Sequence, residues 1–326
     1  MPLQPIVMTP AYRYGAETPW GGNRLKTVYG QDIPDEHTGE ALAFSALPGL
    51  NSRSPEGKTL TELVREYGAD LLGTEVREPV PLLLKLIDAR QDLSVQVHPD
   101  DQYAERVEHK SGKTEAWIIL RAEPGARLIY GIRPGYDLTR LRALCRQGGP
   151  AVEEALNAVP VQAGDVIYIP SGTVHAIGAG IMLYEIQQSS DVIYRFYDWD
   201  RKDRNGKGRP LHLDKALDVT KPDIMPNLIR PRVLREDEHG RLERMIYSTY
   251  FEVDGYRQCA DMPLMPDKRR FGILTALEDG VIRAGDGEIP LKAGQTALIP
   301  AACGPLTLTG PSFLYACPQT KGMNEQ

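Results

Sequence analysis

Apolar residues along this chain come mainly in short runs bounded by Gly, Pro, Asn and Asp, a spacing that predicts strands and turns rather than long helices. Residues 79–87 (PVPLLLKLI) form a nearly continuous apolar run, as a buried strand would. Residues 93–97 (LSVQV) alternate with period two. Residues 115–120, 165–169, 182–187 and 192–197 also read as strands. Helical spacing appears in four places. Residues 59–72 open with Thr59-x-x-Glu62, a capping box. Residues 100–107 read as a helical turn. Residues 138–159 predict two helices broken at Gly148-Gly149-Pro150, and residues 211–219 one short helix. Residues 1–58 read as loops and edge strands, and residues 202–209 as a charged loop. From about Val233 onward, short strands alternate with turns at a sandwich rhythm.

One segment occurs twice. Residues 159–171 (VPVQAGDVIYIPS) and 289–301 (IPLKAGQTALIPA) align at a constant offset of 130, with Pro, Ala-Gly, Ile-Pro and the apolar positions coinciding. Two copies of one β module follow. The chain has 326 residues, enough for two domains at about 100–200 residues each. We therefore expect a catalytic domain at 1–232, with helical insertions, and a smaller β domain at 233–326. The 31 Gly and 26 Pro fit that many turns.

Charge and composition narrow the function. The net charge of −6 disfavours a broad nucleic-acid face, yet leaves room for a local cationic pocket. No apolar stretch approaches the ~18 residues of a membrane span, and the first residues show no signal-peptide pattern. The four Cys are scattered, without a C-x-x-C pair, so a reducing cytoplasm is expected.

In the first copy the turn continues as Gly164-x5-Pro170-x-Gly172-x2-His175, which aims His175 from a strand toward the barrel mouth. The corresponding position in the second copy is Pro305, so one module should bind a metal and the other should not. Gln96 and His98 share one face of a strand at i, i+2, and Glu115 heads the next strong strand. Imidazole nitrogens with one carboxylate suit Zn²⁺, and the Gln96 amide would be a weaker fourth ligand. Residues 99–114 separate the two ligand-bearing strands as an insertion.

The Gly164–His175 frame resembles the second metal motif of the cupins, small jelly-roll barrels. Gln96-Val97-His98-Pro99-Asp100-Asp101, Gly112-Lys113-Thr114-Glu115 and Tyr194-Arg195-Phe196-Tyr197-Asp198-Trp199-Asp200-Arg201 are more specific. Together with Trp20-Gly21-Gly22 and Gly39-Glu40, they resemble the type I mannose-6-phosphate isomerases in their short bacterial form. That resemblance implies a mainly β fold of two cupin-type jelly-roll β-barrel modules with a few short helices. It implies one Zn²⁺ per chain on Gln96, His98, Glu115 and His175, and isomerisation of mannose 6-phosphate and fructose 6-phosphate through an enediolate. A sugar phosphate would be the partner, with no nucleic acid or membrane, in a monomer or homodimer.

Such chemistry needs a proton carrier, a carbonyl polariser and a held phosphate. Arg195, Lys113 and Asp191 are the expected catalytic residues, with Lys113 and Asp191 as the acid–base pair. Glu185, His109, His37 and a zinc-bound water are the other carriers considered. Lys85, Ser94, Glu40, Trp20 and Arg201 are expected to bind substrate. Another metal-dependent cupin acting on or binding a sugar phosphate is the alternative.

Overall fold

The computed structural model describes residues 3–320 apart from Gly148 and Arg204. The chain is mainly β, in three antiparallel sheets. A seven-stranded sheet runs in the order Leu228–Ile229, Val166–Ile169, Glu115–Ala122, Ile181–Gln188, Leu82–Ala89, Thr38–Phe44, Ala11–Tyr14. A five-stranded sheet runs Tyr194–Tyr197, Val95–Val97, His175–Ile177, Arg127–Ile132, Leu156–Pro160. The two pack face to face through Ile87, Trp117 and Leu183 from one and Leu128, Tyr130 and Ile177 from the other. They form the first jelly-roll barrel.

The third sheet has nine strands and contains the C-terminal module. It curls around its own core of Met262, Leu264, Leu274, Ile282, Ala297 and Phe313. The seven-stranded sheet is shared between the two modules. Along Leu82–Ala89 side chains alternate, as pleating requires. Leu82, Leu84 and Leu86 pack with Ile118, Tyr184 and Ile186 against Phe251, Val253, Ile273 and Leu298 of the C-terminal sheet. Ile87 packs inside the first barrel. A run apolar on both faces is therefore a strand buried on both faces.

The internal repeat is structural. Val166–Ile169 and Thr296–Ile299 are both strands, 130 positions apart as in the sequence. Each is entered from a glycine at positive φ, Gly164 at 94° and Gly294 at 78°, a region side chains with a Cβ rarely adopt.

The structure departs from the sequence pattern in several places, among them a helix at Arg24–Tyr29 where loops and edge strands were expected and a break at Gly68 within 59–72. Thr38–Phe44 is buried along its whole length, so the N-terminal segment is more than loops and edges. Ile6–Met8 leaves the first module and pairs with Thr296–Ile299 in the C-terminal sheet, across a division at 232/233. The second helix expected within 138–159 is a 3₁₀ segment at Gly149–Ala155 followed by the strand Leu156–Pro160. Gly148, part of the expected break, lies outside the described residues.

The helix expected from Thr59 starts as its pattern predicts. Thr59 Oγ1 accepts from Glu62 N while Glu62 Oε2 accepts from Thr59 N, and the helix Leu60–Tyr67 follows.

Candidate metal centre and active site

Strand pairing brings the candidate residues together. Gln96 lies opposite His175 on one side and Arg195 on the other, so all three occupy one row across the five-stranded sheet. His98 follows two residues after Gln96. Asp100 then caps the helix Asp101–Glu108 by accepting from Tyr103 N at 3.0 Å, and this helix is the insertion separating His98 from Glu115. Glu115 opens the strand Glu115–Ala122 in the facing sheet. Gly172 N donates to His98 O at 2.8 Å, which ties the turn before His175 to the His98 segment.

His98, Glu115 and His175 are buried, with ligand atoms within 4.8 Å of one another. His98 Nε2 is 3.6 Å from Glu115 Oε2, and His175 Nε2 is 3.2 Å from Glu115 Oε1. Each imidazole holds a backbone carbonyl with its other nitrogen. His98 Nδ1 lies 2.8 Å from Val192 O, and His175 Nδ1 lies 2.9 Å from Thr173 O. Those bonds fix the orientation of both rings and turn their Nε2 atoms toward the carboxylate. Gln96 Nε2 stands 3.4 Å from His175 Nε2, and turning its amide over would present Oε1 at the same point.

Lys113 completes the cluster. Its Nζ is 2.7 Å from Glu115 Oε2 and 3.0 Å from His98 Nε2, and the residue is buried. Burial alone would raise the Glu115 carboxyl, but Lys113 and His175 outweigh it and hold the group well below the usual range. Burial, then Lys113, pushes the His98 imidazole well below its ordinary value. Glu115 thus stays an anion and His98 a neutral donor. Neither Glu115 oxygen makes a hydrogen bond of ordinary geometry, despite these close approaches and full burial. Two imidazoles turned toward a buried carboxylate, with an amide adjacent, fit a divalent metal ion.

A second buried ion network lines the same barrel. Lys85 Nζ is 2.9 Å from Glu185 Oε1 and 3.6 Å from Glu40 Oε2, and Arg13 Nη1 is 3.3 Å from Glu40 Oε2. Burial would lower Lys85, but Glu185 and Glu40 outweigh it and raise its pKa. Lys85 therefore stays charged inside the barrel, where the apolar run alone left its direction open. Trp117 joins the two clusters. Its Nε1 donates to Glu185 Oε2 at 3.0 Å, and its ring meets His175 edge-on at 5.5 Å between centroids.

Other expected residues lie elsewhere. Asp191 does not pair with Lys113. It is half-exposed and bonded to Lys110 Nζ at 2.6 Å, so the acid–base pair expected of it is not assembled. The reason is local: the residues beside it turn inward, with Val192 O on His98, and leave Asp191 facing water. Trp20 packs in the barrel core, and its ring leaves no room for a Cβ at Gly39. Arg201 is engaged structurally, its Nη1 on Asp92 O at 2.6 Å and its Nη2 on Asp198 Oδ1 at 2.5 Å. Arg195 is half-buried, with Nη1 on Pro210 O at 2.8 Å and its Nε free of a hydrogen bond. Ser94 is buried just before Val95–Val97. His109 caps the Asp101–Glu108 helix at φ 53°, and His37 is exposed beside Asp35, so neither reaches the cluster.

Sequence reasoning did not single out Arg13 or Trp117. Trp117 carried a signal, since it shares the inward face of its strand with Glu115 at i, i+2. Arg13 carried none, because only its pairing opposite Glu40 brings it to the site.

A family model for the catalytic domain of type I phosphomannose isomerases matches residues 12–116. The mannose-6-phosphate isomerase ManA of Bacillus subtilis is 37% identical over 95% of this chain and 97% of its own. The mannose-6-phosphate isomerase of Streptococcus mutans is 46% identical over 204 residues, 61% of this chain and 63% of that protein. Among solved structures, mannose 6-phosphate isomerase from Bacillus subtilis superposes with a TM-score of 0.87 at 33% identity, covering 97% of this chain and 99% of that one. A variant of phosphomannose isomerase from Salmonella typhimurium shares the fold, with a TM-score of 0.74 at 17% identity.

Proposed function

Because this chain belongs to the type I mannose-6-phosphate isomerase family, we propose that it interconverts mannose 6-phosphate and fructose 6-phosphate through an enediolate. One Zn²⁺ would be held by His98, Glu115 and His175, with Gln96 beside them. The observation that carries this reading is the buried Glu115 carboxylate, faced by two imidazole Nε2 atoms and lacking a hydrogen bond of ordinary geometry. Zinc bound there supplies a Lewis acid for the sugar carbonyl and its neighbouring hydroxyl.

The protein's own groups do the rest. Lys113 and Lys85 are buried cations that favour negative charge on the sugar oxygens in a site shielded from water. Arg195, in the row with Gln96 and His175, offers a fork suited to an enediolate or phosphate oxygen. Glu185 replaces Asp191 as the proposed partner of the lysines in proton transfer, because it is buried and its Oε1 has no hydrogen bond of ordinary geometry. Glu40, Lys85 and Ser94, all buried, would face the substrate. Trp20 and Arg201 act by shaping the wall. Among the described residues no helix is long and apolar enough to cross a membrane. We read the enzyme as a cytoplasmic monomer or homodimer acting on free sugar phosphate.

The test is a coupled assay offering mannose 6-phosphate and glucose 6-phosphate to metal-analysed protein. Turnover of mannose 6-phosphate, abolished by chelation and restored by zinc, is expected. Zinc-replete protein that turns over neither substrate would overturn the proposal.

A further inference from the structure

The loop that carries Lys113 is held at three successive backbone amides. Gly112 N donates to Asp101 Oδ1 at 2.8 Å, Lys113 N to Pro99 O at 3.0 Å, and Thr114 N to Gln188 Oε1 at 2.9 Å. Gln188 Nε2 returns to Asp101 Oδ1 at 3.0 Å, so one carboxylate closes the set. The fit is tight. A Cβ on Gly112 would lie 2.5 Å from Asp100 C and Asp101 N. The other oxygen of Asp101 is held from the C-terminal module, where Tyr250 donates its hydroxyl to Asp101 Oδ2 at 3.0 Å. Tyr250 is itself fixed. Its amide donates to Ser248 Oγ at 3.3 Å, its carbonyl accepts from Gln319 N at 2.9 Å, and its ring packs on the core between the modules.

We infer that Tyr250 is a positioning residue: through Asp101 and Gln188, the module without metal ligands fixes the loop that aims Lys113 at the Glu115/His98 cluster. The inference rests on the isomerase reading above for its kinetic effect, but the clamp itself is a property of the fold. The group that acts is Lys113, and Tyr250 touches neither it nor the reacting atoms.

Tyr250→Phe keeps the packed ring and deletes one hydrogen bond. We expect kcat for mannose 6-phosphate to fall about fivefold, the effect of one such bond, with KM within about twofold and bound zinc unchanged. Amide exchange in a peptide covering residues 110–115 should quicken about fivefold, with no change over Val95–Val97. Asp101→Asn should give the same pattern, larger, and if it fails to fold Tyr250→Phe decides alone. Unchanged exchange at 110–115 refutes the clamp. Exchange that quickens throughout the protein, with a matching loss of thermal stability, also refutes it, because Tyr250 would then be a general brace. Quickened exchange at 110–115 with unchanged kcat refutes the link to Lys113. If the unsubstituted enzyme turns over no mannose 6-phosphate, the family reading fails, and the exchange measurement still decides the clamp.

Discussion

Replacing Lys113 by Met keeps a long side chain and removes a buried charge. In the zinc-free protein that charge is the nearest counterion of a fully buried carboxylate, at 2.7 Å. Removing one partner of such a pair costs about 3–5 kcal/mol, because the survivor is left buried and unpaired. Glu115 has little else to fall back on, since neither oxygen has a hydrogen bond of ordinary geometry. It can escape part of the cost by taking up a proton. Without Lys113 the largest influence opposing burial is gone, so its pKa rises from the depressed value and the penalty grows with pH. We expect a loss of about 3 kcal/mol at pH 8 and less at pH 6 for zinc-free Lys113→Met. Zinc replaces the missing positive charge, so the variant should gain more stability from zinc than the unsubstituted protein does. Urea unfolding at both pH values, after chelation and after zinc addition, measures all four differences. A zinc-free loss below ~1 kcal/mol at pH 8, or a loss of equal size with zinc bound, would show that Lys113 does not neutralise Glu115.

Three further outcomes follow from the site. Glu115→Gln removes the only carboxylate of the ligand cluster, so zinc retained after dialysis, read by elemental analysis, should drop far below that of the unsubstituted protein. Burial and Lys113 hold His98 well below the ordinary imidazole range, so in zinc-free protein its contribution to stability is full above about pH 6.5 and is lost as pH falls toward the folded value. Thermal melts of His98→Asn should therefore lose less between pH 7 and pH 5 than those of the unsubstituted protein; equal losses would contradict this. Gly112→Ala forces the backbone at Asp100 and Asp101 to move, and should lower kcat at least about tenfold while far-ultraviolet circular dichroism stays the same.

The candidate metal cluster was legible because its residues sit in local frames. Gly164, Pro170 and Gly172 fix where His175 points, and the i, i+2 spacing of Gln96 and His98 needs only a strand. The capping box at Thr59 and Glu62 is equally local. What the residues could not show depends on distant pairing. Asp191 sits four residues before Arg195, just ahead of a strand-like run, but only the fold reveals that its side chain faces Lys110 and water. Glu185 and Lys85 look like isolated charges in apolar runs until strand register sets them opposite each other. Residues 149–155 have helical spacing, yet they close a single 3₁₀ segment before the chain turns into Leu156–Pro160, which pairs with Arg127–Ile132.

The pairing of Ile6–Met8 with Thr296–Ile299 also sets an order on synthesis. At about 5–20 residues per second, roughly 15 to 60 s separate the emergence of these two strands from the ribosome. All four ligand positions and Arg195 emerge in the first two-thirds of that interval. The nascent chain can therefore bring His98, Glu115 and His175 together while the outer face of the seven-stranded sheet, with Leu84, Ile118 and Tyr184, still lacks its cover. In this protein the chemistry is ready before its shelter, and Ile6–Met8, made early, is among the last strands to find its place.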